Sequence, residues 1–126
     1  MENKFKAKNF TASLKFALNG LKNILKNERN VKIQLIFAAL AVILSFLLKI
    51  SRLEILIILL AIFLVIFSEI INTIIEEILN IYSKEYDKDI KYAKDMAAGL
   101  VLFSAVLSVI IGAVIFIPKL INIIKG

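Results

Sequence analysis

The sequence predicts an all-α integral membrane fold: an N-terminal amphipathic surface helix followed by three transmembrane helices. Three observations predict it. Of the 126 residues, 60% are hydrophobic, more apolar side chain than a soluble domain of this length has interior to hold. Long apolar runs at 33–48, 53–75 and 96–117 approach or reach the roughly 20 residues that cross a bilayer. Ahead of them stands a stretch whose apolar residues recur at three- and four-residue steps, with lysines opposite.

That first helix is expected over residues 10–27. Phe10, Leu14, Leu18, Leu21 and Leu25 mark one face, and Lys15, Lys22 and Lys26 the other. Thr11 or Ser13 could cap it, and it reads as lying on the membrane surface. Residues 1–9 are polar and lysine-rich. Asn27-Glu28-Arg29-Asn30 is a polar corner at headgroup depth, where a lone glutamate is ordinarily just solvated. The first span is expected within 31–48, short for a core of about 30 Å but extended by Lys32 and Lys49, which can snorkel. After a tight turn at 49–52, the second helix is expected over 53–80. Residues 83–91 read as a charged loop. The third membrane helix is expected over 93–118, ending at Pro118-Lys119. Gly99, Ser104, Ala105, Ser108, Gly112 and Ala113 on it would allow close helix approach. The whole chain, 1–126, reads as one domain without internal repeat.

Composition also excludes chemistry. There is no cysteine and no histidine, so thiolate catalysis and zinc–thiolate sites are out. A general base must be a carboxylate, a lysine or a tyrosine. The net charge of +6, set beside long apolar runs, points to an anionic membrane surface and an anionic nucleotide rather than to nucleic acid. Eight of the 16 basic residues precede the first span and four lie in 83–95, against two at 49–52 and two in the C-terminal tail. The positive-inside rule then puts the N-terminus and the 83–95 loop in the cytoplasm, in a multi-pass protein of the cell (cytoplasmic) membrane.

The functional stretch is 69–95. Glu69, Asn72 and Glu76 fall within roughly 60° of one another on a helix, with Thr73 and Asn80 on the same stripe. Carboxylates that deep in an apolar helix face a partner rather than lipid. At the cytoplasmic rim, Glu28 and Glu76 can supply hard oxygen ligands to Mg²⁺, which takes one or two carboxylates beside phosphate oxygens. Lys94 can balance phosphate charge. Glu69, about 10 Å deeper than Glu76 along the axis, can accept a proton from a lipid hydroxyl at the interface. These parts suit phosphoryl transfer, which is chiefly positioning and charge neutralisation. No Walker A motif or kinase Gly-rich loop is present.

At these residues the sequence resembles the small integral-membrane lipid kinases of bacteria, the diacylglycerol kinase and undecaprenol kinase family. The matching motifs are Glu69-Ile-Ile-Asn72-Thr73-Ile-Ile-Glu76 and Ala93-Lys94-Asp95-Met-Ala-Ala-Gly-Leu-Val-Leu102, joined by Phe16-Ala-Leu-Asn-Gly20 and Asn27-Glu28-Arg29-Asn30. The resemblance implies Glu69 as catalytic base, Glu28 and Glu76 as metal ligands holding Mg-ATP, and Asn72, Lys94 and Asp95 as polar active-site positions. It implies that Glu85, Tyr86 and Asp87 contact the nucleotide, and that the protein is a homotrimer with sites shared between subunits. Glu28-Arg29-Asn30 and Phe116-Ile117-Pro118-Lys119-Leu120 look closer to the undecaprenol kinase branch, so undecaprenol is the expected lipid and diacylglycerol the alternative. Two departures stand out. Asn80 occupies a position where the family usually has aspartate, so a charge role there is lost. The basic surface-helix residue of some members has no clear counterpart near Asn9.

Two other classes compete. A small proton-coupled transporter also needs a deep acid such as Glu69, but not the polar cluster of Glu28, Glu76, Lys94 and Asp95. An accessory protein that senses lipid packing needs no nucleotide.

Overall fold

The computed structural model describes residues 4–126; residues 1–3, part of the lysine-rich N-terminal segment, lie outside them. The described residues form four α-helices and no strand: α1 (Phe10–Asn27), α2 (Arg29–Leu47), α3 (Arg52–Tyr82) and α4 (Lys88–Lys125). Three of them, α2, α3 and α4, are long and apolar enough to cross a membrane.

Local chemistry fixes each boundary. The side chain of Asn9 accepts from the amide of Ala12 at 2.9 Å and starts α1. A single extended residue, Glu28, breaks α1 from α2. Helix α2 ends in a Schellman arrangement: Ile50 N donates to Ser45 O and Lys49 N to Phe46 O, each at 3.2 Å. Lys49 occupies the left-handed position with φ of 51°, where glycine is the usual residue. Ser51 and Glu54 then form a reciprocal capping box that launches α3. Asp87 accepts from the amides of Asp89 (2.8 Å) and Ile90 (3.2 Å) and launches α4.

The last helix corrects two expectations. It begins at Lys88 rather than 93, because Asp87 caps it inside the charged segment. It also runs through Pro118 to Lys125 instead of ending there. Proline only forgoes its own amide bond, and neighbouring groups in membrane helices re-satisfy the backbone.

Helices α3 and α4 make the most extensive pairing; α2 packs on α3, and α1 meets α2 more lightly. A buried hydrogen bond joins the α3–α4 pair, Ser68 Oγ to Ser104 Oγ at 2.7 Å. A small apolar core of Ile50, Ile58 and Ile115 sits at the end carrying the α2–α3 turn. There Lys119 also meets Glu54 at 3.6 Å. Most other large apolar side chains of the three long helices point outward, as in helices surrounded by hydrocarbon. No residue of α1 is buried.

Candidate active site

A run of polar residues on α3 is buried. Ser68, Glu69, Asn72 and Thr73 are all buried, Glu69 at 3% exposure. The helix turns these residues toward its neighbours, and α2 supplies what a buried carboxylate requires. Asn30 Nδ2 donates to Glu69 Oε1 at 3.2 Å, and Gln34 Nε2 donates to Oε2 at 3.4 Å. Asn30 and Gln34 are one helical turn apart on one face of α2, so both amides reach the same group. Two amide donors, one per oxygen, hold the carboxylate still. Thr73 Oγ1 donates to the Glu69 carbonyl at 3.0 Å and leaves the carboxylate free.

Asn72 continues this layer toward the surface. Its Nδ2 donates to Glu76 Oε1 at 3.5 Å, a long bond, while its Oδ1 is buried with no hydrogen-bond partner. Gln34 Oε1 is buried and unpartnered as well. Glu76 itself is exposed. Along this stripe Glu69, Asn72 and Thr73 are buried, whereas Glu76 and Asn80 emerge at the polar end of α3. Glu28 is half-buried at the start of α2, and its side chain makes no capping bond.

A second polar group lies where α3 meets α4. An open cleft of about 600 Å³ is lined by Asn80, Ser83, Lys84, Glu85, Tyr86, Asp87, Ile90, Lys91 and Lys94. Lys94 Nζ donates to Asn80 Oδ1 at 2.6 Å, so asparagine still engages the lysine without a carboxylate. Asp95 is exposed and paired with Lys91 at 2.6 Å. Glu85 and Tyr86 are exposed, and Asp87 spends one oxygen on the α4 cap.

The single chain therefore presents two sites rather than one cluster. Lys94 and Asp95 make no hydrogen bond or ion pair with Glu69 or Glu76. Among the described residues, no three metal-binding side chains converge. Glu69 and Asn80 lie about 16 Å apart along the α3 axis, with Glu76 between them. The donor chemistry nevertheless suits a hard cation bound together with phosphates. The Glu76 carboxylate, the orphaned Asn72 oxygen beside it and the uncapped Glu28 carboxylate are all oxygen ligands, the kind Mg²⁺ takes.

Gln34 did not emerge from the sequence, because it sits inside the apolar run of the first span. The available signal was a carboxamide four residues after Asn30, on the same helix face.

The sequence family described as prokaryotic diacylglycerol kinase matches residues 15–116. The undecaprenol kinase of Bacillus subtilis (strain 168) is similar, at 34% identity over 111 residues covering 88% of this chain and 90% of that protein.

Proposed function

The chain belongs to the prokaryotic diacylglycerol kinase family, and from that premise we propose that it moves the γ-phosphate of ATP to the hydroxyl of undecaprenol with Glu69 as base. A member of this family is a lipid kinase, an ATP-dependent phosphotransferase. The observation that carries the finer reading is the buried Glu69 carboxylate, fixed by the Asn30 and Gln34 amides within an apolar helix set.

In this reading the lipid alcohol brings its O–H to Glu69 from the hydrocarbon side. Glu69 takes the proton as the alcohol oxygen bonds to the γ-phosphorus; the bond from that phosphorus to the β–γ bridging oxygen breaks, and ADP leaves. The nucleotide occupies the cleft at the α3–α4 junction, where Glu85, Tyr86 and Asp87 face it and Lys94 balances phosphate charge. Its phosphates run along α3 toward Glu76. Glu28, Glu76 and the Asn72 oxygen are the groups that would hold Mg²⁺, whose chemistry here is neutralisation of the phosphate oxygens.

The protein works as a homotrimer in the cell membrane, its N-terminus and 83–95 loop cytoplasmic and α1 flat on the inner surface. The separation of the Lys94–Asp95 corner from Glu69 within one chain supports a site completed by a neighbouring copy. Mixing Glu69→Gln subunits with Lys94→Met subunits, each nearly inactive, would then restore part of the activity.

Undecaprenol is favoured because the similar Bacillus protein is an undecaprenol kinase. Diacylglycerol is the second reading, favoured by the family description. Purified protein with γ-labelled ATP, offered both lipids side by side, separates them. Preferential labelling of undecaprenol is expected; labelling of diacylglycerol alone would reverse the assignment, and labelling of neither would remove it.

A further inference from the structure

Three lysines line the cleft at the α3–α4 junction: Lys84, Lys91 and Lys94. Two of them are engaged. Lys91 is paired with Asp95, and Lys94 donates to Asn80 Oδ1, each at 2.6 Å. Lys84 makes no hydrogen bond or ion pair with any described residue. Its side chain is exposed, but the turn that carries it is braced at both ends. Ser83 N donates to the Leu79 carbonyl at 3.1 Å, and Ser83 Oγ accepts from the Glu85 amide at 3.2 Å. Asp87 then caps α4. These bonds keep the root of the Lys84 side chain at the cleft and leave its ammonium group without a partner. The carboxylates of the cleft, Glu85 and Asp87, repel phosphate. A nucleotide there puts its phosphates on the lysines and its hydroxyl or amino donors on the carboxylates.

We propose that Lys84 is a further phosphate-binding residue of this cleft, and that it holds the phosphate nearest the ribose rather than the one transferred. The proposal rests on the lipid-kinase reading, in which the phosphates run along α3 toward Glu76. Glu76, Asn80 and the end of α3 at Tyr82 follow one another along the helix, and Lys84 lies past that end. Lys94, tied to Asn80, is the nearer of the two cations to Glu76, and Lys84 is the farther. A cation at the far end meets the part of the nucleotide that is the same before and after transfer. It binds ATP, ADP and the transition state alike, so it lowers KM without raising kcat. Lys94, closer to the phosphates that separate, has no such constraint.

The test compares the unmodified chain with Lys84→Gln and Lys84→Arg in nanodiscs, by calorimetric titration with ATP and with ADP and by transfer of labelled phosphate. The unmodified chain is assayed first with undecaprenol, diacylglycerol and γ-labelled ATP. Nucleotide binding without transfer to either lipid sinks the lipid-kinase reading, while the comparison of Kd values still decides the role of Lys84. Absence of nucleotide binding overturns both. Lys84→Gln is expected to raise the Kd for ATP and for ADP by the same factor, about three- to tenfold for a charged contact at an exposed site. The KM for ATP rises with it, and kcat at saturating ATP stays within about twofold. The factor shrinks as salt is added, and Lys84→Arg, which keeps the charge, recovers most of the affinity. A structural role for the side chain would not give that salt dependence or that rescue. Unchanged Kd values for both nucleotides overturn the proposal. A loss confined to ATP puts the lysine at the transferred phosphate and overturns it too, as does a fall in kcat with Kd unchanged.

Discussion

Replacing Gln34 by leucine should separate stability from activity. The side chain makes one useful bond, Nε2 to Glu69 Oε2, and at 3.4 Å that bond is long. A hydrogen bond to a charged group contributes about 1.5–3 kcal/mol, and this one belongs at or below the lower bound. Against it stands Gln34 Oε1, buried with no donor, which costs about 1–3 kcal/mol. Leucine has similar bulk and removes both terms, so the stability of Gln34→Leu should lie within about 1 kcal/mol of the unmodified protein. Activity should not survive as well. Glu69 keeps only the Asn30 amide and can swing, and misplacement of a reacting group by about 1 Å can cost on the order of 100-fold. The expected kcat is lower by about 10- to 100-fold. Thermal unfolding in detergent and labelled-phosphate transfer, measured on one preparation, check the two halves. A variant destabilised by several kcal/mol, or one with unchanged kcat, would refute the reasoning.

Three further outcomes follow from the contacts. Ser68→Ala removes the buried α3–α4 hydrogen bond and should cost about 0.6 kcal/mol, the average for such bonds within membranes, read as a small drop in unfolding temperature. Lys49→Gly relieves the left-handed residue after α2 and should stabilise by about 1 kcal/mol, read in the same assay. Asn80→Asp turns the exposed contact with Lys94 into an ion pair; stability should rise by no more than about 1 kcal/mol, and ATP affinity should fall because Lys94 is then partly neutralised, as measured by nucleotide titration.

Much of the architecture was legible because apolar runs and polar corners are coarse signals. The polar corner at 27–30 separates α1 from α2, and the tight turn at 49–52 marks the start of α3. The start of α4 was also written in the sequence, in Asp87 ahead of Lys88-Asp89-Ile90, but the many charges of 83–91 masked the cap. Pro118 misled because proline stops helices in water more reliably than in a membrane. Within the site, the inward position of Glu69, Asn72 and Thr73 followed from helical periodicity. The exposed position of Glu76 agrees with its place at the cytoplasmic rim, where the apolar run ends. Gln34 was hidden. Its role depends on which face of α2 meets α3, and that is a tertiary fact.

The most direct test of the account is the transfer of labelled phosphate from ATP to undecaprenol by Glu69→Gln, with ATP binding measured on the same protein. The substitution keeps the volume but removes the proton acceptor and turns an amide group toward the donors on Asn30 and Gln34. Transfer should fall by about 10²- to 10⁴-fold, the contribution of a positioned base, while ATP still binds. Transfer within a few-fold of the unmodified protein would contradict the claim that this buried carboxylate takes the proton.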